Sequence, residues 1–218
     1  MGLPEPPSPI FVPHMRLKVH RDNPDHRHIT RAVELLRDGG VIIYPTDTVY
    51  GLGCSVENTR AIERIHLIKR QRDDKPFSFV CSDLTHISEY AHVSNPAFKI
   101  MRRLIPGPYT FILPAARMRQ LPRVLVSKRK TVGIRVPDSR VTLALVGALG
   151  HPVLSTSVTL EDGAPMGDPD LIAENFNNVV DAILDGGPLG DISSTVLDLT
   201  GDTPQIIRQG AGDVSFLL

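Results

Sequence analysis

Four polar clusters hold the side chains that could do chemistry: Thr46-Asp47-Thr48, Ser155-Thr156-Ser157, Ser193-Ser194-Thr195 and Arg208-Gln209-Gly210. Each lies just after an expected strand or at one end of it. Hydroxyls beside guanidiniums are what phosphate recognition asks for, since they supply several directed donors together with positive charge. Thr46 and Thr48 can donate and accept, Asp47 can hold a cation or an ammonium, and Gly51 and Gly53 let backbone come close to a ligand. A strand that runs out into small polar residues is where an open α/β sheet places its ligand. An isolated Thr-Asp-Thr is more often a solvated turn. Four such clusters at strand ends point instead to an anion or nucleotide pocket.

The charge distribution agrees with that pocket. The 218 residues carry 24 Lys and Arg against 24 Asp and Glu, a net charge of zero. Residues 60–140 nevertheless hold 17 of the basic and only 6 of the acidic groups, which leaves +11 there and −11 in the flanks. A basic block in a neutral chain suits an anionic partner such as a nucleotide or RNA phosphate, while solvated helix faces balanced by the acidic flanks are the plainer explanation. At 41% hydrophobic and 22% charged, the composition is that of a globular protein large enough to bury a sizeable core. No run of eighteen apolar residues and no basic-then-apolar leader is present, so neither a membrane span nor secretion is signalled, and the cytoplasm is the expected location. Cys54 and Cys81 have no metal-ligand spacing, and no metal site is expected from side chains.

Several common machineries are missing from the sequence. It has no G-x-x-x-x-G-K-[ST] and no G-x-G-x-x-G helix entry. It also lacks a G-x-S-x-G elbow and an H-E-x-x-H pair. Covalent catalysis is disfavoured, and a reaction run by positioning and electrostatics on a nucleotide fits better.

The elements that must position these clusters alternate along the chain. Residues 1–14, rich in proline, read as a leader, and residues 15–218 as one α/β domain. The expected strands are 16–19, 41–44, 77–81, 109–113, 131–136, 153–157, 180–184, 195–199 and 205–208. Helices are expected over about 28–38, 58–69, 95–104, 139–149 and 168–176, with a short one after Asp83. This pattern predicts a twisted open sheet, mixed parallel and antiparallel, with flanking helices. The second helix ends in the cations Lys69, Arg70 and Arg72, which either cap its dipole or reach the pocket.

The run Tyr44-Pro45-Thr46-Asp47-Thr48-Val49-Tyr50-Gly51-Leu52-Gly53 resembles the opening motif of the YrdC/YciO family of threonylcarbamoyl-adenylate synthase-like proteins. Pro106-Gly107-Pro108-Tyr109-Thr110, Gly133-Ile134-Arg135-Val136-Pro137, Ser155-Thr156-Ser157, Ser194-Thr195-Val196 and Arg208-x-Gly210 resemble its later motifs in order, from about His28 to Asp213. The resemblance implies the YrdC-like fold and formation of a threonylcarbamoyl-adenylate, or a related carbamoyl-adenylate, from ATP, bicarbonate and threonine or another small amino acid, in tRNA modification. It implies magnesium on the triphosphate and Thr46, Thr48 and Tyr50 at the amino acid. Lys69, Arg72, Ser155, Ser157, Ser194, Thr195 and Arg208 are implied at the nucleotide, with Lys69 and Thr46 catalytic. Two departures place the chain nearer the YciO-type branch: Lys69-Arg70-Gln71 stands for Lys-x-Arg, and Ser157-Val158-Thr159 for Ser-x-Asn. The alternative is a protein of this fold that binds double-stranded RNA or tRNA without synthase activity. Arg102, Arg103, Arg129 and Lys130, with the basic run from Arg117, would then contact phosphates.

Overall fold

The computed structural model describes residues 15–70, 77–85, 87–116 and 130–217, with only the backbone at Lys69, Arg70 and Phe216. The expected leader, residues 1–14, lies outside the described residues. The strands are β1 (Met15–Lys18), β2 (Val41–Tyr44), β3 (Gly51–Ser55), β4 (Ser78–Val80), β5 (Tyr109–Pro114), β6 (Thr131–Arg135), β7 (Val153–Ser157), β8 (Ala182–Asp185), β9 (Thr195–Asp198) and β10 (Gln205–Arg208). The helices are α1 (His26–Arg37), α2 (Thr59–Arg70), α3 (Ile87–Tyr90), α4 (Asn95–Leu104), α5 (Arg140–Leu149) and α6 (Pro169–Phe176).

All ten described strands join one sheet in the order β1-β8-β2-β3-β7-β4-β6-β5-β9-β10. Four of the pairings are parallel (β1–β8, β8–β2, β4–β6, β5–β9) and the other five antiparallel, so the sheet is mixed, as the alternating pattern predicts. Local chemistry sets the helix starts. Asp25, Ser94, Ser139 and Asp168 each accept a first-turn N–H at the head of α1, α4, α5 and α6. Proline follows within the first two positions of α4 and α6, where its missing N–H costs nothing.

β3 departs from expectation. The sequence reads Gly51 and Gly53 as loop glycines, because glycine weakens a strand interior. They sit instead in a fully buried strand that pairs β2 on one side and β7 on the other. The reason is the Tyr44 ring: a Cβ at Gly53 would lie 2.6 Å from Val153 Cγ1 and 2.9 Å from Tyr44 Cε1. Tertiary crowding thus overrides local propensity.

Among the described residues the two faces of the sheet are covered unequally. One face carries Ile43, Leu52, Leu154, Phe79, Ile134, Phe111 and Leu197 against α2, α3, α4 and α6, in a core that spans the sheet from β8 to β9. On the other face, α1 and α5 cover Ile42, Tyr44, Val153, Val80, Ala182 and Leu184 only. Side chains alternate along strands, so Thr110, Ile112, Gly133, Arg135 and Val196 point away from the first core. They belong to neither cluster. Among the described residues no helix packs on this half of the face, and the cleft forms there.

Candidate functional site

A row of small residues crosses the sheet beneath the cleft, and Ser78 and Ser155 of that row border it. Gly53 pairs Ser155, Ser155 pairs Ser78 and Ser78 pairs Gly133, so four adjacent strands present nothing larger than serine along one line. A Cβ at Gly133 would lie 2.9 Å from Ser78 Oγ. Around this row opens a cleft of about 700 Å3 including its mouth, bordered by Thr46, Tyr50, Phe77, Thr110, Arg135, Ser155, Thr156, Ser157, Ser194 and Arg208 among others.

The first wall is the loop after β2. Its position is fixed from α5: Ser139 Oγ and Thr142 Oγ1 both donate to the Pro45 carbonyl, at 3.2 and 2.8 Å. Thr46 donates to Val49 O at 2.6 Å and accepts from Thr48 N at 3.2 Å, closing a tight turn. Into this turn reaches Arg135 from β6. Its Nη2 donates to Asp47 Oδ1 at 2.5 Å, Thr48 Oγ1 at 2.7 Å and Thr46 Oγ1 at 3.3 Å. The other Asp47 oxygen accepts the Asp138 N–H at 3.0 Å. Arg135 and Asp47 are 10% and 8% exposed at the side chain, so this is a buried ion pair.

Arg135 Nε is buried and borders the cleft without a hydrogen-bond partner among the described residues, and Thr156 Oγ1 is likewise buried and unpartnered, beside Leu52 on the other face of β7. Buried donors are rarely left unpaired in native proteins unless a ligand, ion or water completes them. Arg208 forms the opposite wall from the edge strand β10. Its Nε and Nη2 donate to Ser194 O at 3.2 and 2.8 Å. Burial, and then the charge of Arg135, hold the Arg208 guanidinium below its ordinary pKa. The two cations therefore feel each other across the cleft. Thr110 and Ser194 add a hydroxyl pair at 2.9 Å between them.

Of the residues expected to converge, Thr46, Tyr50, Ser155, Ser157, Ser194 and Arg208 border this one cleft. Lys69 lies in the last turn of α2, where only the backbone is described, and Arg72 and Arg129 lie outside the described residues. Three of the expected residues have side chains engaged elsewhere. Thr195 is fully buried behind the cleft: its hydroxyl donates to Gly212 O and accepts from Gly210 N and Gly212 N, at 2.8–3.0 Å, so it pins the C-terminal loop rather than facing a nucleotide. Thr48 does not border the cleft, and its hydroxyl accepts from Arg135 Nη2. Asp47, expected to hold a ligand cation, holds Arg135 instead. The Tyr50 hydroxyl also points away, donating to Gly187 O at 2.8 Å and accepting from Gly186 N at 3.1 Å, so only its ring meets the cleft. Arg102, Arg103 and Lys130 are exposed, and none of them borders the cleft.

The residue that sequence reasoning left without a role is Arg135, noted only as part of a motif. Its signal was available: one guanidinium inside the otherwise apolar run Val132-Gly133-Ile134-Arg135-Val136. A charge in a buried strand needs a partner, and here it has found Asp47.

Comparison with known proteins adds to this geometry. YciO of Escherichia coli strain K12 is 46% identical over 198 residues, covering 90% of this chain and 95% of that protein. Its crystal structure superposes with a TM-score of 0.87 at 45% identity, covering 94% of this chain and all of the other. Threonylcarbamoyl-AMP synthase of Bacillus subtilis strain 168 is 34% identical over 184 residues, covering 84% of this chain but 53% of the synthase. The crystal structure of Pyrococcus abyssi Sua5 in complex with L-threonine superposes with a TM-score of 0.82 at 28% identity, over 90% of this chain and 57% of that one. The model of the Sua5/YciO/YrdC family, described as "Telomere recombination", matches residues 34–210, which run from α1 through the cleft to the turn beyond Arg208. A match across that span, together with these relatives, makes the chain a member of the Sua5/YciO/YrdC family.

Proposed function

We propose that the cleft binds ATP and a small amino acid, threonine first among the candidates, and joins them with bicarbonate into a carbamoyl-adenylate for tRNA modification. In balance, the amine adds to the carbon of bicarbonate with loss of water, the resulting carbamate oxygen attacks the α-phosphorus, and pyrophosphate leaves. The observation that carries this reading is the pair of guanidiniums, Arg135 and Arg208, facing one cleft with a buried Arg135 Nε left unpaired. Such groups stabilise charge that develops on transferring phosphoryl oxygens. Ser157 and Ser194 supply hydroxyls on the same surface, and the family's named synthases supply the class of reaction.

Magnesium would enter with the triphosphate. No Asp or Glu borders the cleft among the described residues, and Asp47 is engaged by Arg135, so the residues here do not fit a resident metal site. The test is pyrophosphate release from the full chain with ATP, magnesium and bicarbonate, each amino acid being supplied in turn. Release that depends on threonine or one other small amino acid is expected. No release with any of them removes the proposal. Binding of double-stranded RNA or tRNA is a second reading, supported by Arg102 and Arg103. Both are exposed in the last turn of α4 and paired with no carboxylate among the described residues. It predicts an affinity that falls steeply with salt and is indifferent to sequence.

A further inference from the structure

The hydroxyls of the cleft do not all present the same polarity. Tyr44 is fully buried, and its hydroxyl donates to Ser155 Oγ at 2.7 Å. A buried phenol must spend its proton on a partner, so Tyr44 donates. Burial also pushes the Tyr44 pKa up to about 12, which keeps that proton in place at neutral pH. Ser155 in turn donates to Leu52 O at 3.3 Å. A serine hydroxyl has one proton and two lone pairs. With the proton and one lone pair engaged, Ser155 has a single lone pair left, and it borders the cleft.

We propose that Ser155 accepts a hydrogen bond from an uncharged N–H of the bound ligand, and that Tyr44 is the positioning residue that sets this polarity. Ser155 is therefore not one of the phosphate donors. Among those is Arg135 Nε, buried and without a hydrogen-bond partner among the described residues, on the same cleft. One cavity thus offers donors to an anion and an acceptor to an N–H. No carboxylate borders it among the described residues, so nothing there favours a charged ammonium beside the two guanidiniums. The chemical class that fits is an anion bearing a neutral amine or carbamate nitrogen.

The glycines of β3 make the arrangement possible. A Cβ at Gly51 would lie 3.0 Å from Tyr44 Cζ and 3.1 Å from Ser155 Oγ, so a side chain there would press on both partners. If the cleft forms a carbamoyl-adenylate as proposed above, the nitrogen held by Ser155 is that of the amino acid. Only that identification rests on the functional reading.

The experiment uses two near-isosteric probes, carbamoyl phosphate and acetyl phosphate, which share a phosphate anion and differ by an NH2 in place of a CH3. Each is titrated calorimetrically into the full chain. The wild-type chain is expected to bind carbamoyl phosphate about tenfold more tightly, the size of one hydrogen bond of about 1.4 kcal/mol. Ser155→Ala should abolish the preference while leaving acetyl phosphate affinity within about twofold. Tyr44→Phe frees the Ser155 proton to turn, and should reduce the preference to about threefold or less. This ratio is a readout that loss of fold alone would not move. Equal or absent binding of the two probes by the wild-type chain overturns the proposal without any variant having to fold. So does a Ser155→Ala variant that weakens both probes equally. A retained preference with no amino-acid-dependent pyrophosphate release removes the synthase reading and supports this one.

Discussion

Replacing Arg135 by methionine keeps the stem volume on β6 and deletes the guanidinium, which isolates its effect on Asp47. Asp47 is 8% exposed and would retain only the Asp138 N–H. Removing one partner of a buried ion pair costs about 3–5 kcal/mol, because the other charge stays buried and uncompensated. The surviving N–H bond puts the expectation near the lower end, about 3 kcal/mol. For a domain of this size that is a fall in melting temperature of about 6–12 °C. Asp47→Asn removes the charge from the other side, and Arg135 keeps its bonds to Thr46 and Thr48, so a smaller loss of about 1–2 kcal/mol is expected. The double variant has no orphaned charge. Its cost should fall short of the sum of the singles by at least about 1 kcal/mol, within the range for residues in contact. Urea denaturation reads all three through the midpoint at constant slope. An Arg135→Met cost below about 1 kcal/mol, or singles that add within about 0.5 kcal/mol, refutes the claim that this pair organises the loop.

Other perturbations probe the frame around the cleft. Gly53→Ala forces a methyl against Val153 and Tyr44, and should cost about 1–3 kcal/mol in the same urea assay. Thr195→Val strips two N–H groups and one carbonyl of their partner, and hydrogen exchange should show lost protection at Gly210 and Gly212, with about 2–4 kcal/mol of destabilisation. Burial raises Tyr44 and Tyr50 from 10.0 to about 12. Above pH 10 the unfolded chain ionises first, so their contribution is complete below pH 10 and is lost as pH rises to about 12. Alkaline melts should show this loss, and a Tyr44→Phe variant should show less of it. Cys54 and Cys81 are buried and raised from 9.0 to about 12, so a thiol reagent at pH 8 should find neither in the native chain and both in denaturant.

What the sequence determined was whatever is local or periodic. Capping residues, the apolar stripe of α1 and the β-branched run Val41-Ile42-Ile43 are written into a few consecutive positions, and the helices and most strands form where those signals lie. The motif order also marked Thr46, Ser157, Ser194 and Arg208 as belonging to one surface. Only the tertiary structure decided what each side chain is free to do. Hydrogen-bond capacity is spent across distant strands: Thr195 on the C-terminal loop, Asp47 on Arg135, the Tyr44 proton on Ser155. No spacing rule foretells which donor reaches which acceptor 111 residues away. The glycines of β3 make the same point, since a residue that weakens an isolated strand is required once a tyrosine must lie across it.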